Sequence, residues 1–398
     1  MRVLLITDWN RGRGGAERHA AAFLRLLREA GDDVELLTSS AGSAGDGEAR
    51  FVAFGTERMA AQTFLQIANP FAFAGVRRAV REFRPDVAWV NMFAHHLSPA
   101  AVLALGDMPA VLMVSDYKCV CPLGSKLLPD ASLCTVRRGW ICHRGGCLGT
   151  AHWLRDQPRY ALIDVAVRRF RRVVACSDWV RKELAFAGIP AVMIPYMVEA
   201  PGPFERRPAP EPVFVYTGRL DEEKGVALLL RSFARVRAGI PAARLRVIGQ
   251  GPCLADLQRL ASSLEITSAV EFFGWLAPEQ AERHLRDAWA AVVPSLWPEP
   301  LGLVALEALL RGVPVIASVS GGLAEIVQDG VTGLLFPNND ESALTARLSA
   351  VASGAAFPGC RLLETAVQAT AEIYDPGAHV RRMRALFREA VEEARAAG

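Results

Sequence analysis

No uninterrupted run of about 18 apolar residues occurs in this chain, which excludes a membrane-spanning helix. Neither charge sign dominates: 45 basic residues stand against 42 acidic ones, a net charge of +3, so composition offers no electrostatic case for nucleic acid. Short-period repeats and low-complexity tracts are missing, and so is any Cys-x-x-Cys pair. The Gly-x-Gly-x-x-Gly fingerprint is incomplete, with Gly12 and Gly14 in place but Glu17 at the third glycine position, which argues against a nicotinamide oxidoreductase. The apolar start, Met1 to Ile6, is too short for a secretory leader and reads as a first strand. Together these absences predict a cytoplasmic protein. Arginines cluster at Arg77, Arg78, Arg81 and Arg84, at Arg168, Arg169, Arg171 and Arg172, and at Arg381, Arg382 and Arg384. The first reading is solvated helix faces; the second is peripheral contact with an anionic bilayer at the inner face of a membrane.

What is present is 398 residues, 51% of them hydrophobic, which exceeds one hydrophobic core and predicts two domains. Apolar strands alternate with helical patterns throughout, the signature of parallel sheets covered by helices, so the fold class is α/β with two doubly wound, Rossmann-like domains. Strands are expected at 3–7, 34–38, 87–91, 110–114 and 173–176, and again at 213–217, 244–248, 270–273, 290–293 and 313–317. Between the two series lies a stretch with five prolines and no periodicity, read as a stiff linker at 201–212. The domains then run 1–200 and 213–376, and 377–398 forms an amphipathic helix that returns to the first domain. Open sheets of this kind take ligands at the carboxyl ends of their strands, so the two domains are expected to face a shared cleft.

Four motifs carry the chemistry. Gly14-Gly15 after the first strand permits close backbone approach to an anion where a helix begins. Gly218-Arg219 and Lys224-Gly225 place a guanidinium and an ammonium five positions apart at a strand exit, able to neutralise one diphosphate. Pro294-Ser295 leads to Glu299 and Glu307, which have seven residues between them and straddle a helix start predicted at 303–311. Such a start favours an anion, and a carboxylate on the helix accepts hydrogen bonds from vicinal hydroxyls. The fourth is the crowding of five of the eight cysteines into an insert at 119–152, including Cys121, Cys134, Cys142 and Cys147 with gaps of 12, 7 and 4 residues. In a reducing compartment these four thiols read as ligands of a structural zinc or as a redox-labile loop.

With Gly312-Val313-Pro314 and Gly321-Gly322-Leu323-Ala324-Glu325 further on, the first three motifs occur in an order that resembles the family 4 retaining glycosyltransferases of the GT-B fold. That resemblance covers nearly the whole chain. It implies Arg219 and Lys224 on the donor diphosphate, Glu299 on the donor sugar and Glu307 on the ribose, with backbone at Gly14, Gly15, Gly218, Leu301, Gly302 and Leu303 completing the donor site. The implied reaction moves a sugar from a nucleotide-diphosphate donor, a uridine diphosphate sugar by family frequency, to an acceptor hydroxyl with retention at the anomeric carbon. It requires no cofactor. The acceptor is left open among a sugar, a lipid-linked sugar and a small aglycone. Ser115 stands where family members often carry a histidine, and His95, His96 and Asp116 are the acceptor-side candidates. The alternatives are a nucleotide-sugar epimerase of the same architecture and an inactive nucleotide-sugar-binding partner protein.

Overall fold

The computed structural model describes all residues except 11–13, 44, 46, 47, 200, 201, 203 and 398, so Gly12 of the first glycine motif lies outside the described residues. The chain divides into two compact units. Met1–Pro129, Cys134–Met197 and Pro376–Gly398 form the first, and Val198–Asp375 with Asp130–Leu133 the second.

In the first unit β1 (Arg2–Thr7), β2 (Asp33–Ser39), β3 (Phe51–Ala53), β4 (Val87–Met92), β5 (Ala110–Val114), β6 (Arg172–Ala175) and β7 (Val192–Met193) form one sheet in the order β3-β2-β1-β4-β5-β6-β7. Every pairing is parallel. Val3 to Ile6 and Val87 to Val90 are almost wholly buried, so these strands read as continuous apolar runs instead of alternating ones. The helices are α1 (Gly15–Glu29), α2 (Met59–Leu65), α3 (Pro70–Phe83), α4 (Ser98–Leu103), α5 (Trp140–Arg144), α6 (Thr150–Val167) and α7 (Asp178–Phe186). The C-terminal helix, Pro376–Ala397, belongs to this unit: Phe387 packs 6.3 Å from Phe23 of α1, and Arg384 pairs with the buried Asp32 at 2.9 Å. β3 and β7 were not anticipated, because three- and two-residue strands carry no readable period.

The second unit holds β8 (Val213–Thr217), β9 (Arg244–Ile248), β10 (Val270–Gly274), β11 (Ala290–Val293), β12 (Val315–Ser318) and β13 (Gly333–Phe336), all parallel, in the order β10-β9-β8-β11-β12-β13. Its helices are α8 (Val226–Gly239), α9 (Leu254–Ser263), α10 (Pro278–Arg286), α11 (Leu303–Leu309), α12 (Leu323–Ile326), α13 (Glu341–Ala352) and α14 (Glu364–Ile373). Phe214, Phe233, Leu245 and Phe336 centre its core. Of the proline-rich stretch expected as a linker at 201–212, residues 201 and 203 lie outside the described residues, and residues 206–209 are tied into this unit. Arg207 and Ala209 donate their backbone N–H groups to the carbonyls of Arg286 and Asp287 at 2.9 Å, and Trp289 donates to the Ala209 carbonyl at 2.8 Å.

Strand order reverses at β1/β4 in the first unit and at β8/β11 in the second. Loops leaving the two strands diverge at such a point and open a crevice at their carboxyl ends. Gly14, Gly15 and His95 follow β1 and β4, and Arg219, Lys224 and Glu299 follow β8 and β11.

Candidate functional site

In the second unit, the loop after β8 and the loop after β11 meet through one buried ion pair. Lys224, on the single helical turn Glu222–Lys224, donates from Nζ to Glu299 Oε1 at 2.8 Å and lies 4.5 Å from the centre of the Trp297 ring. The Ser295 hydroxyl donates to the same Oε1 at 2.6 Å. Burial pushes the Glu299 carboxyl up, but the Lys224 charge, aided by hydrogen bonds from Lys224, Ser295 and Trp297, outweighs it and leaves the group below the usual carboxylate range. Glu299 is therefore an ionised, fixed acceptor.

The loop that carries it is pinned from several directions. Ser318 donates to the Ser295 carbonyl at 2.6 Å, Asn338 to the Leu296 carbonyl at 2.6 Å and Ser320 to the Trp297 carbonyl at 2.7 Å. The Gly322 N–H bonds the Glu299 carbonyl at 2.7 Å, and Gly321 forms a parallel bridge with Glu299. A Cβ at Gly321 would sit 2.2 Å from the Glu299 carbonyl oxygen, so only glycine admits this approach. Gly302, at φ +98°, then turns the chain into α11.

Arg219 follows β8 on the same loop, yet its guanidinium is largely exposed and pairs with Asp221 at 2.5 Å, while its carbonyl accepts the Tyr216 hydroxyl at 2.6 Å. Lys224 and Glu299, read from sequence as separate contacts to a diphosphate and a sugar, are thus joined to each other, and Arg219 stands beside them with a partner of its own. Glu307 is half-buried on α11, beyond Gly302 and Leu303 as expected; α11 ends at Leu309, two residues short of the predicted stop. The roles of Ser295, Asn338, Ser318 and Ser320 were missed, because polar residues in loops give no periodic signal.

In the first unit, Asp8 follows β1 and accepts the backbone N–H groups of His95, His96 and Leu97 at 2.8, 2.8 and 2.7 Å. This carboxylate, unnoticed in the sequence, fixes the loop after β4. A cavity of about 150 Å³ opens beside it, walled by Asp8, Trp9, Asn91, His95, Asp116 and Lys118 among others. Burial raises the Asp116 carboxyl and lowers the His95 imidazole. His96 does not reach this cavity. Its ring is 3% exposed and packs edge-on against Trp9 at 4.4 Å, so of the three acceptor-side candidates it is a packing residue. Gly14 and Gly15 open α1, whose Ala16 carbonyl accepts from Asn91 at the end of β4 at 3.1 Å. Ser115 hydrogen-bonds Tyr196.

All eight cysteines are free thiols, and among the described residues no group of three or more His, Cys, Asp or Glu side chains is arranged to hold a metal ion. Of the expected zinc set, Cys121 and Cys134 act on Cys142, and Cys121, Cys134 and Cys142 act on Cys147, so the four thiols are neighbours in the fold. The insert is tied down by Arg138, which pairs with Asp164 and stacks 4.4 Å over Tyr160, and by the Trp140–Trp153 contact at 4.9 Å.

Two family models match the chain in series: "Glycosyl transferase 4-like domain" over residues 14–196 and "Glycosyl transferases group 1" over residues 203–357. The chain belongs to the family 4-type glycosyltransferases of the GT-B fold. Among relatives of this glycosyltransferase are the GDP-mannose-dependent alpha-(1-6)-phosphatidylinositol monomannoside mannosyltransferase of Mycolicibacterium smegmatis, 38% identical over 140 residues (34% of this chain, 37% of the relative). Another is glycogen synthase of Mycobacterium tuberculosis, 37% identical over 147 residues (37% of this chain, 35% of the relative). The matching segments thus span little more than a third of either relative. Similar solved structures include sucrose-phosphate synthase from Thermosynechococcus elongatus, with a TM-score of 0.73 at 20% identity and 98% of both chains covered. Anabaena HepE in complex with UDP-glucose superposes with a TM-score of 0.71 at 17% identity, covering 98% of this chain and 100% of that one. At these identities the likeness is one of fold.

Proposed function

We propose that this glycosyltransferase moves a hexose from a uridine diphosphate sugar to an acceptor hydroxyl with retention at the anomeric carbon. The observation that carries this reading is the buried, ionised Glu299 held by Lys224 and Ser295 where β8 and β11 part. A carboxylate so fixed accepts hydrogen bonds from sugar hydroxyls without reorganising, and the ammonium beside it neutralises charge that builds on a departing diphosphate. Arg219 is the exposed member: its guanidinium, paired with Asp221, exchanges that carboxylate for the bidentate grip of a phosphate. Glu307 takes the ribose hydroxyls.

In this reaction the acceptor hydroxyl attacks on the face the nucleotide leaves, and a donor phosphate oxygen receives its proton. Charge stabilisation carries the barrier, so the chain needs no metal and no strong base. His95 and Asp116 hold the acceptor, Asp116 serving as a hydrogen-bond partner at the wall of the cavity. The relatives' names span GDP-mannose and UDP-glucose, so the base is the point to test first. Thermal shifts are measured with UDP, GDP and their hexose conjugates, since a ligand that binds only the native state raises its melting point. UDP and one UDP-hexose are expected to stabilise; a response to GDP alone overturns the donor, and a response to neither overturns the reading.

A further inference from the structure

Around the β3 turn, α2 and the start of α3, the first unit exposes five large apolar side chains: Phe54 (48%), Met59 (82%), Phe64 (73%), Phe71 (57%) and Phe73 (41%). Scattered exposed hydrophobics are ordinary, but these fall within 20 residues, and the rings of Phe54 and Phe71 are in edge contact at 5.3 Å. Residues 54–84 carry Arg58, Arg77, Arg78, Arg81 and Arg84 against two acidic residues, Glu57 and Glu82, and all five arginines are exposed. Arg78 pairs with Glu82 at 2.7 Å, and over the whole stretch the arginines exceed the carboxylates five to two. The exposed side of α3 therefore runs from aromatic at its start to cationic at its end.

This surface is built rigidly onto the loop that walls the small cavity. Asn69, fully buried, accepts from the Phe71 and Ala72 N–H groups at 3.0 Å and donates to the carbonyls of Phe54 at 2.8 Å and His96 at 2.9 Å. Gln62 of α2 lies 3.2 Å from His95 Nε2. One asparagine thus fixes both exposed rings to the His95–His96 turn, and α2 touches a wall of the cavity directly.

We propose that this face docks peripherally on an anionic phospholipid bilayer and that the acceptor is presented from that bilayer, its hydroxyl-bearing head reaching the His95 and Asp116 cavity. Aromatic and methionine side chains enter the interfacial layer, while the arginines pair with anionic headgroups. No helix among the described residues is long and apolar enough to cross a membrane, and the proposed docking is a surface contact. The lipid-borne acceptor rests on the sugar-transfer reading above; the docking does not.

The test is co-sedimentation of the full chain with vesicles of phosphatidylcholine alone and of phosphatidylcholine mixed equally with phosphatidylglycerol. Wild type is expected to sediment with the anionic vesicles only. Arg77→Gln/Arg78→Gln/Arg81→Gln should weaken that binding by about a hundredfold, and Met59→Ser/Phe64→Ser should weaken it comparably. All five positions are exposed, so melting temperature and donor hydrolysis without vesicles should stay at wild-type values. Wild type remaining in the supernatant, or both variants binding like wild type, overturns the docking. Self-association abolished by Met59→Ser/Phe64→Ser, with no vesicle binding, assigns the face to a second copy of the chain and also overturns it. Absence of donor hydrolysis in wild type strikes the transfer reading while leaving the vesicle result to decide the docking.

Discussion

Lys224 and Glu299, 75 positions apart in the chain, share a 2.8 Å hydrogen bond that closes the loop after β8 onto the loop after β11. The two side chains are 18% and 10% exposed, so the bond is screened weakly and neither charge is fully hydrated. From sequence alone, Lys224→Ala is expected to cut turnover by orders of magnitude and leave the fold intact. The ion pair changes that expectation, because removing the ammonium strands a buried carboxylate. Lys224→Met should lower stability by about 3 kcal/mol, whereas Lys224→Met/Glu299→Gln, which removes both charges, should recover most of it. Both should lack donor hydrolysis. Urea denaturation of the two variants checks the stability claim, and equal stabilities would refute it.

Because the Glu299 carboxyl lies below its unfolded value, the pair contributes stability that is complete above the ordinary carboxylate range and is lost as pH falls through the lower folded value. Unfolding free energies measured down an acid series should show that loss in wild type and a shallower slope in Lys224→Met/Glu299→Gln.

Arg219 predicts the opposite separation. Its side chain is 74% exposed and its contact with Asp221 is a surface pair, which is worth little. Arg219→Ala should unfold within about 0.5 kcal/mol of wild type while losing at least a hundredfold in donor turnover. Asp221→Asn, which frees the guanidinium, should tighten binding of the nucleoside diphosphate. Calorimetric titration of both variants with UDP decides: unchanged affinity in Arg219→Ala would remove the arginine from the donor site.

A pair of buried histidines makes the first unit sensitive to acid. His19 of α1 stacks on Tyr196 at 3.7 Å and meets His379 of the C-terminal helix edge-on at 5.0 Å. His379 donates from Nδ1 to the Pro195 carbonyl at 2.8 Å, and burial pushes its imidazole down to about 4. The same burial, with the neighbouring His379, holds His19 well below its ordinary value. Arg382 is the cation acting on His379. A histidine neutral in the fold but protonated when unfolded contributes stability that is full above its unfolded value of about 6.5 and is lost between there and about 4. Melting temperature should therefore fall from pH 6.5 to pH 5, above the ordinary carboxylate range. His379→Asn, which retains an N–H donor, should flatten that decline.

The alternation of apolar strands and helical patterns made the two sheets legible, because fully buried parallel strands read as unbroken apolar runs, as Val3 to Ile6 and Ala290 to Val293 do. Gly218-Arg219, Lys224 and Glu299 were legible as a group because each follows such a strand at its carboxyl end. Their mutual pairing was not, since contacts across 75 residues leave no local pattern. Asp8 escaped notice for the same reason: an aspartate after a strand looks like a turn residue until its three backbone partners at His95, His96 and Leu97 are visible. His96 misled because a histidine in a loop reads as exposed, and only packing against Trp9 shows it buried. The cysteines crowded in sequence also lie close enough to act on one another, Cys121 and Cys134 on Cys142 and all three on Cys147.

Gly321 offers a way to separate backbone strain from site geometry. Its φ of +62° and that of Gly330, +76°, both lie in the left-handed region, where an alanine costs roughly 1 to 2 kcal/mol. A Cβ on Gly330 meets nothing within 4 Å, whereas a Cβ on Gly321 falls 2.2 Å from the Glu299 carbonyl oxygen and 2.6 Å from its nitrogen. Strain alone therefore predicts equal losses of stability in Gly330→Ala and Gly321→Ala. The clash adds a second effect at Gly321 only: the Glu299 backbone has to move away, taking its carboxylate off Lys224 and Ser295. Gly330→Ala should keep wild-type donor turnover with a lowered melting temperature, and Gly321→Ala should lose turnover by at least tenfold beyond its loss of stability. Measured at a temperature where both variants are fully folded, equal turnover in the two would show that the position of Glu299 does not govern the chemistry.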